Sequence, residues 1–559
     1  MNLISHFKKF QLTTNQLIIL VGGYITLIFN MPFLNKTLHA ITTLKQYNLG
    51  FLFSVPIFLF CLVTLIISTF SIRVMLKPML VVLVILSSLI FYATLTYGIV
   101  FDYGMIQNTV ETDSAEAFSY LNLYAIFFVL FVGIMPAISI TLVNISNLSA
   151  GCELIQRIKL MIILILISAV IGASFYSNYA AVGRNNRALV NYIVPFKLID
   201  SSIKYIKRNY LAPPLDFLIL DKSPTLTNKS HVKKVTVLVV GETARSKSFS
   251  LNGYSRPTNK YTNMKNVVSF SNMHSCGTAT AVSVPCMFSR LSKSNYDKRE
   301  AVYQQNLLDI VQLAGTDVIW VDNNSSCKGV CKRVHTIYIN TDKKNTLCDG
   351  KYCFDEALLE PFKKKIAHLT HQNTLIVLHM IGSHGPTYYR RYPSEQAIFM
   401  PDCRRSDIQN CSKEALINTY DNTIAYTDFV LAEIIDELQG MSEEFDINTS
   451  MLYVSDHGES IGENGVYLHG LPYAFAPDEQ THIPMLYWES SNNTETSTSC
   501  LQEMSSTKMS HDNIFDSLLS IVNVKSETYN VGLDIFHQCE PSVLTASVNN
   551  ITPNKKVNE

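Results

Sequence analysis

The chain has 559 residues, of which 48% are hydrophobic and only 16% are charged. Soluble domains usually carry about a quarter charged residues, so this composition excludes a disordered or collagen-like chain. Lys and Arg together number 45, as do Asp and Glu, which leaves no net positive charge to neutralise nucleic-acid phosphates. We therefore expect no nucleic-acid partner.

The excess of apolar residues is concentrated in the first third of the chain. Five charge-free stretches occur there, each long enough for the roughly 20 residues that cross a bilayer. They cover residues 11–34, 46–72, 78–101, 117–150 and 160–183. We predict five transmembrane helices, because buried helices of soluble proteins are usually shorter and amphipathic. The first stretch is too long for a signal peptide and lacks a convincing cleavage site, so we expect it to be retained.

Charges beside the predicted spans indicate their orientation. Basic residues cluster on one side, at Lys8, Lys9, Arg73, Lys77, Arg157 and Lys159. This side is expected to be cytoplasmic. Lys36, Lys45, Arg184 and Arg187 favour the opposite orientation, but long domains cross the membrane largely regardless of charge. We predict a multi-pass protein of the bacterial inner membrane with its C-terminal domain in the periplasm.

The cysteines support the same orientation. Cys61 lies in a predicted span and Cys152 in a predicted cytoplasmic loop, and the other ten of the 12 follow the membrane part. Eight of these ten are close sequence pairs and the last two remain for each other: Cys276 with Cys286, Cys327 with Cys331, Cys348 with Cys353, Cys403 with Cys411, and Cys500 with Cys539. The sequence contains no pair of CxxC motifs, the pattern expected of a zinc site built from cysteines. Disulfides in an oxidising compartment explain the pattern better.

The sequence divides into four parts. A transmembrane domain covers residues 1–183, a bridging segment and linker 184–230, a periplasmic catalytic domain 231–545, and a tail 546–559. In the bridging segment, apolar residues recur at helical spacing and basic residues lie off that stripe. The apolar residues are Phe196, Ile199, Ile203, Ile206 and Tyr210. This pattern predicts a helix on the membrane surface or, equally, one packed on the soluble domain.

After residue 231, short β-branched runs alternate with helical segments. Strands are predicted at residues 235–240, 318–321, 374–380, 451–454 and 483–488, and the clearest helix at 416–438. This alternation indicates an α/β domain with a mostly parallel sheet. In such sheets, function gathers beyond the carboxyl ends of the strands. Glu242, His384, Asp456 and His457 follow three of these strands. They predict a metal site, most simply for zinc, with magnesium or manganese as alternatives.

Five motifs together identify a resemblance. They are VVGETAR from Val239, NGYSRPT from Asn252, SCGTATAVSVPCMFS from Ser275, SHGPTYY from Ser383 and SDHGES from Ser455. The chain resembles the lipid A phosphoethanolamine transferases, including the mobile colistin resistance enzymes. The resemblance covers essentially the whole chain. It implies a five-helix transmembrane domain followed by a hydrolase domain like that of alkaline phosphatases and sulfatases.

The resemblance also implies roles for individual residues. Zinc is held by Glu242, Thr280, Asp456 and His457. A second zinc could bind at His384 and His469. Thr280 is the nucleophile, although Thr278 lies close by and spacing alone does not separate them. The remaining positions are His384 and His469 for a second metal or the phosphoethanolamine group, Ser325 and Lys328 for phosphate, and Asn108, Thr112 and Glu116 for the donor. The spacing of the last three places them on one helical face.

The implied reaction is ping-pong transfer of phosphoethanolamine from phosphatidylethanolamine to lipid A through a phosphothreonine-type intermediate, conferring polymyxin resistance. Another lipopolysaccharide core sugar or a periplasmic glycan is an alternative acceptor. A phosphoglycerol transferase of the same superfamily is an alternative. A sulfatase would need a C/S-x-P-x-R motif, which this sequence lacks around Thr280. A non-catalytic lipid-headgroup receptor is the alternative from a different class. We expect membrane lipid as a partner and a monomeric state.

Overall fold

The computed structural model describes residues 11–43, 47–112, 114–146, 148–227, 232–342, 346–491 and 498–539. The chain forms two compact units. The first unit contains Met1–Ile106 and Leu121–Tyr210, and the second contains Gln107–Tyr120 and Leu211–Glu559. A short segment from the N-terminal part of the sequence thus belongs to the second unit. The predicted tail at 546–559 lies outside the described residues.

Helices dominate the N-terminal part of the chain. Its helices are α1 (Thr14–Tyr24), α2 (Met31–Thr42), α3 (Leu49–Phe70), α4 (Leu76–Tyr97), α5 (Tyr103–Glu111), α6 (Ser114–Ser119), α7 (Leu123–Val129), α8 (Met135–Leu142), α9 (Ala150–Ser174), α10 (Tyr176–Asn185) and α11 (Phe196–Ile206). Two short strands, β1 (Gln11–Leu12) and β2 (Asn144–Ile145), pair in parallel. π-helical turns at Ile25–Phe29 and Leu130–Ile134 extend α1 and α7.

Among the described residues, four helical segments are long and apolar enough to cross a membrane. They are Leu49–Phe70, Leu76–Tyr97, Leu123–Leu142 and Ala150–Ser174. A fifth span results if Thr14–Phe29 and Met31–Thr42, which meet at an angle of 60°, count as one. At this bend the buried Asn30 side chain donates to the carbonyls of Ile25 and Val194 and accepts from the Val194 N–H. These bonds replace helical ones and stabilise the break.

The predicted limits of the last span were wrong. We expected residues 160–183, whereas α9 is Ala150–Ser174 and a separate helix follows. Ser149 caps α9 by accepting the Cys152 N–H, so Cys152 is helical rather than in a loop. Charged residues near the start of α9 made an earlier beginning of this span unexpected. Glu153 and Arg157 neutralise each other in an ion pair, and Glu153 also accepts a hydrogen bond from Thr14.

The predicted bridging helix is present as α11. Pro195 is its N-cap residue, and a π-helical turn, Lys207–Leu211, follows it. Ile203 and Ile206 are exposed whereas Tyr205 is buried. The other helices of the first unit therefore leave part of the apolar stripe uncovered. Its placement on a membrane surface stays a prediction.

The second unit is built on an eight-stranded sheet. In chain order, its strands and the small ribbons beside it are β3 (Thr225–Leu226), β4 (Lys234–Gly241), β5 (Val268–His274), β6 (Asp317–Asp322), β7 (His335–Tyr338), β8 (Asn373–His379), β9 (Asn448–Ser455), β10 (Ser460–Ile461), β11 (Tyr467–Leu468), β12 (His482–Glu489), β13 (Met509–Ser510) and β14 (Val524–Lys525). The order across the sheet is β13-β5-β12-β9-β4-β8-β6-β7. Only β12 runs against its neighbours, β5 and β9.

Helices accompany the sheet. They are α12 (Thr280–Met287), α13 (Lys298–Val302), α14 (Leu307–Leu313), α15 (Leu359–Ile366), α16 (Lys413–Phe445), α17 (Asp478–Thr481), α18 (Thr498–Met504) and α19 (Ile514–Ile521). All five predicted strands exist, with bounds that differ by up to three residues, and the predicted helix is α16. The sequence did not reveal β5 or β7, or the reversed direction of β12. The mostly parallel α/β sheet is confirmed.

Five disulfides join the ten cysteines of the second unit. They are Cys276–Cys286, Cys327–Cys331, Cys348–Cys353, Cys403–Cys411 and Cys500–Cys539. These are the pairs predicted from sequence spacing. Cys61 and Cys152 are free thiols.

Candidate active site

The carboxyl ends of five strands bring the predicted site residues to one edge of the sheet. Strands β5, β9, β4, β8 and β6 share one direction, since β12 opposes both β5 and β9 and the remaining pairings are parallel. The residues that follow these strands are Glu242 after β4, Thr280 after β5, Ser325 and Lys328 after β6, His384 after β8, and Asp456 and His457 after β9. This convergence is the usual location of function in α/β sheets.

The Thr280 hydroxyl lies among candidate metal ligands. Its Oγ1 is 3.2 Å and 3.1 Å from the two carboxylate oxygens of Glu242 and 3.3 Å from His457 Nε2. His457 Nε2 is also 3.3 Å from Asp456 Oδ2. All four side chains are buried. Four oxygen and nitrogen donors therefore surround one point, which is the coordination number typical of zinc.

The local sequence determines the shape of the loop that leads to Thr280. Thr280 is the first residue of α12, and the Cys276–Cys286 disulfide joins the loop to that helix. Gly277 is required by space, because a Cβ there would lie 2.8 Å from the Val282 side chain. Its N–H donates to Ser283 Oγ.

Thr278, the alternative nucleophile, has a different environment. Its hydroxyl donates to the carbonyl of Leu471 at 2.6 Å, and its own carbonyl accepts the Gly470 N–H. A hydroxyl held by a backbone carbonyl is a structural group. Thr278 and Thr280, which spacing left equal, therefore have different hydrogen-bond environments.

Two features show that the residues suit a divalent metal. Asp456 uses Oδ1 to accept the N–H groups of Thr243 and His457, whereas its buried Oδ2 has no hydrogen-bond partner in the described part of the chain. His457 Nδ1 lies 2.9 Å from the Gly458 carbonyl, an acceptor only, which places a proton on Nδ1 and directs Nε2 toward the cluster. Such a second hydrogen bond typically orients a metal-ligating histidine.

The electrostatics agree with a cation site. Burial and the nearby Glu242 carboxylate raise the pKa of Asp456 to about 6. Burial opposes protonation of His457, but the charges of Asp456 and Glu242 outweigh it and raise the pKa of the imidazole to about 9. Burial likewise favours neutral Glu242, yet its hydrogen bond with His457 lowers the pKa of this carboxyl. A positive charge at this point relieves the repulsion between the two carboxylates.

A second group of side chains adjoins the first. The rings of His457 and His469 are 4.4 Å apart, and those of His469 and His384 are 5.4 Å apart. His469 Nδ1 is 2.8 Å from the carboxylate of buried Glu459, which also accepts from the Tyr388 hydroxyl. His457, Glu459 and His469 offer ligand atoms within 4.8 Å of one another. Sequence reasoning missed Glu459, although it lies in the SDHGES motif.

Ser325 and Lys328 are also brought together. Lys328 Nζ donates to Ser325 Oγ at 2.9 Å. Asn324, which sequence reasoning missed, donates from Nδ2 to Glu242 Oε2 at 2.8 Å and to the Met380 carbonyl. It joins the loop after β6 to the proposed ligand Glu242. A run of polar residues after a strand was the only signal for it.

The backbone of Glu242 is held by the loop that contains His384. The Glu242 carbonyl accepts the Ser383 N–H at 3.0 Å, and buried Asp355 accepts the N–H groups of Ile381 and Gly382 at 2.9 Å. Gly382 has φ +49°, and a Cβ there would lie 2.6 Å from the Glu242 carbonyl oxygen. Glycine is thus needed for close approach.

The loop that leads to Thr280 is supported in a similar way by His511. Its Nδ1 accepts the Cys276 N–H at 3.1 Å, and its Nε2 donates to the Ser455 carbonyl at 3.0 Å. Burial lowers the pKa of His511 to about 3. A neutral imidazole can make both bonds, because one nitrogen accepts and the other donates.

The single helical face predicted for Asn108, Thr112 and Glu116 was wrong. Helix α5 ends at Glu111 and α6 begins at Ser114, so Thr112 lies between two helices. Its hydroxyl donates to the Asn108 carbonyl at 2.7 Å. Threonine, aspartate and serine compete locally for backbone hydrogen bonds, which favours helix ends. The Glu116 side chain lies outside the described residues.

Two family models match the chain. One, described as phosphoethanolamine transferase EptA/EptB, matches residues 59–210, and the other, described as sulfatase, matches residues 234–524. Phosphoethanolamine transferase EptA of Escherichia coli strain K12 is 37% identical over 530 residues, covering 93% of this chain and 96% of the relative. The chain belongs to the phosphoethanolamine transferase family. Phosphatidylethanolamine transferase Mcr-1 of Escherichia coli is 36% identical over 524 residues, covering 91% and 94%.

A solved structure of the family has the same fold. The integral membrane lipooligosaccharide phosphoethanolamine transferase A from Neisseria meningitidis superposes with a TM-score of 0.90 at 32% identity, covering 95% of this chain and 99% of that one. The predicted fold class, enzyme class and inner-membrane location with a periplasmic domain are confirmed. The hydrolase fold belongs to a metal-dependent group.

Proposed function

We propose that this phosphoethanolamine transferase moves phosphoethanolamine from phosphatidylethanolamine to lipid A through a covalent intermediate on Thr280. Zinc would be held by Glu242, Thr280, Asp456 and His457. The observation that carries the proposal is the placement of the Thr280 hydroxyl within 3.3 Å of both Glu242 and His457. The names of three relatives support the substrates: a phosphatidylethanolamine transferase for the donor, and a lipooligosaccharide and a Kdo(2)-lipid A phosphoethanolamine transferase for the acceptor.

In the first half-reaction, Thr280 Oγ1 attacks the phosphorus of phosphatidylethanolamine. The bond between phosphorus and the diacylglycerol oxygen breaks, and that oxygen leaves as diacylglycerol after taking a proton. The Glu242 carboxylate, 3.1 Å from Thr280 Oγ1, is near enough to accept the hydroxyl proton. When bound, zinc supplies positive charge that lowers the pKa of a nearby hydroxyl and offsets charge on phosphoryl oxygens. In the second half-reaction, a lipid A phosphate oxygen or hydroxyl displaces Thr280 from phosphorus.

The other side chains hold the reacting groups. Lys328 and Ser325 can bind a phosphoryl oxygen with an ammonium charge and a hydroxyl donor. His384 and His469 are placed to protonate the leaving diacylglycerol or to bind the phosphoethanolamine phosphate, since an imidazole can act as a general acid or as a hydrogen-bond donor. Glu459 orients His469 through its Nδ1. A second metal at His457, Glu459 and His469 is the alternative use of this group.

The proposed donor contacts and the domains have roles as well. Asn108, Thr112 and Glu116 contact the donor lipid. The transmembrane domain 1–183 and the bridging segment 184–230 anchor the chain, and residues 231–545 form the catalytic domain of a monomer. Modified lipid A then confers polymyxin resistance.

Glycolipid analysis tests the acceptor. The full-length protein is expressed in bacteria that lack such transferases, and lipid A is separated from core sugars by mild acid before mass spectrometry. We expect phosphoethanolamine on lipid A from wild-type cells and none from Thr280→Ala cells. Phosphoethanolamine found only on core sugars or on periplasmic glycan would refute the lipid A assignment while leaving the transferase chemistry intact.

A further inference from the structure

The nucleophile helix contains an internal proline. Helix α12 is Thr280–Met287, and Pro285 lies inside it. In an α-helix each carbonyl accepts the N–H four residues later, and proline has no N–H. Pro285 therefore cannot supply the helical donor for the carbonyl of Ala281, the residue after the nucleophile. Ala281 is fully buried, where an unmade hydrogen bond is costly.

Gln107 supplies a donor to that carbonyl. Its Nε2 lies 2.9 Å from the Ala281 oxygen, and the side chain is only 3% exposed. Gln107 is in α5, 174 residues earlier in the chain, within the segment Gln107–Tyr120 that belongs to the second unit. A buried glutamine so far along the sequence thus replaces the bond that Pro285 removes.

The same helix face makes a second contact one turn later. The Glu111 carbonyl accepts from Lys328 Nζ at 3.3 Å, and the Glu111 carboxylate pairs with Lys298. Positions 107 and 111 are neighbours on a helix surface. This face therefore contacts both the nucleophile helix and the lysine proposed to bind phosphate. The adjacent position, Asn108, is one of the proposed donor contacts.

We infer that Gln107 is a positioning residue for Thr280. By completing the hydrogen bonding of the first turn of α12, it holds the nucleophile in line with the phosphorus of the donor. It also connects the segment proposed to bind the donor with the residue that attacks it. The inference rests on the proposed function for the role of Thr280, whereas the Gln107–Ala281 bond itself is independent of it.

The variant Gln107→Leu removes the donor at similar size. We expect the single-turnover rate of adduct formation, measured with full-length protein and phosphatidylethanolamine in detergent, to fall about five- to tenfold, the usual effect of one lost hydrogen bond. The KM for the donor lipid should not change, because the Gln107 side chain is buried against the Ala281 carbonyl. Gln439→Leu is the control: this exposed glutamine donates to Glu443 on the same helix, α16, and its variant should keep the wild-type rate. An unchanged rate in Gln107→Leu overturns the inference.

A double-mutant cycle with Pro285→Ala tests whether Gln107 acts by replacing the hydrogen bond that Pro285 cannot make. Alanine restores an N–H at position 285, so in this background Gln107→Leu should lower the single-turnover rate by less than about twofold. An equal loss in both backgrounds overturns the inference. Where Pro285→Ala does not fold, Gln107→Met replaces it, because methionine is of similar length and has no hydrogen-bond donor. Its rate should be no higher than that of Gln107→Leu, and a wild-type rate overturns the inference.

Hydrogen exchange separates this inference from the proposed function. The peptide that contains α12 should exchange faster in Gln107→Leu than in the wild type, with the peptides of α16 unchanged. A wild-type protein that forms no adduct on Thr280 would refute the proposed function, yet the exchange measurement would still test Gln107. Unchanged exchange of α12 overturns the positioning role whichever reaction the protein catalyses.

Discussion

Gly382→Ala is expected to reduce activity by moving Glu242. The added Cβ would lie 2.6 Å from the Glu242 carbonyl oxygen, whereas ordinary contact begins at 3.4 Å, so the two backbones must separate by about 0.8 Å. The Ser383 N–H bond to the same carbonyl resists this movement. A misplacement of about 1 Å at a reacting centre costs about 10²-fold in rate. We therefore expect a loss in kcat of that order.

Gly253→Ala provides the matched control. Gly253 also has a positive φ, +94°, but nothing lies within 4 Å of an added Cβ. Both variants bear a backbone cost of about 1–2 kcal/mol, and only Gly382→Ala adds an overpacking cost of about 1–3 kcal/mol. Initial rates of phosphoethanolamine transfer should be measured below the thermal midpoints of both variants. Equal rates for the two variants would refute the claim that close approach at Gly382 sets the position of Glu242.

Three further outcomes are expected. Thiol labelling of denatured, unreduced protein should modify Cys61 and Cys152 alone, and labelling of Cys276 would contradict the disulfide beside the nucleophile. Because the pKa of His511 is about 3 when folded and about 6.5 when unfolded, it contributes stability that is complete above pH 6.5 and is lost toward pH 3. The thermal midpoint of His511→Gln should accordingly depend less on pH between 7 and 5 than that of the wild type, and an equal dependence would contradict a buried neutral imidazole. Expression should raise polymyxin tolerance together with lipid A modification, because the added ethanolamine places a positive charge beside an anion; tolerance without modified lipid A would point to another cause.

Strong apolar patterns in the sequence predicted most strands of the sheet, but not the direction in which each strand runs. The runs at β4, β8 and β9 are long and buried on both faces, so they were read correctly. Strand β5, Val268–His274, alternates irregularly between apolar and polar residues and was missed. The run at β12 has no sequence signal for its direction, which pairing with β5 and β9 determines.

Which residues gather at the site was predictable only in part. Residues directly after strands, such as Glu242 and Asp456, follow from strand order, because parallel strands end at one edge. Thr280 follows a missed strand, and the motif alone indicated it. Gln107 and Asn324 carried no motif, because their role depends on contacts between segments distant in sequence. The predicted helical face at Asn108 was wrong because one helix ends at Glu111 and the next begins at Ser114, a break that helical spacing does not reveal.

The most direct test of the account is to identify the residue that carries the intermediate. Full-length protein is incubated with phosphatidylethanolamine and no acceptor, and the peptide containing Thr278 and Thr280 is fragmented in the mass spectrometer. We predict phosphoethanolamine on Thr280 in the wild type and in Thr278→Ala, and none in Thr280→Ala. An adduct on Thr278, or full transfer by Thr280→Ala, would contradict the account.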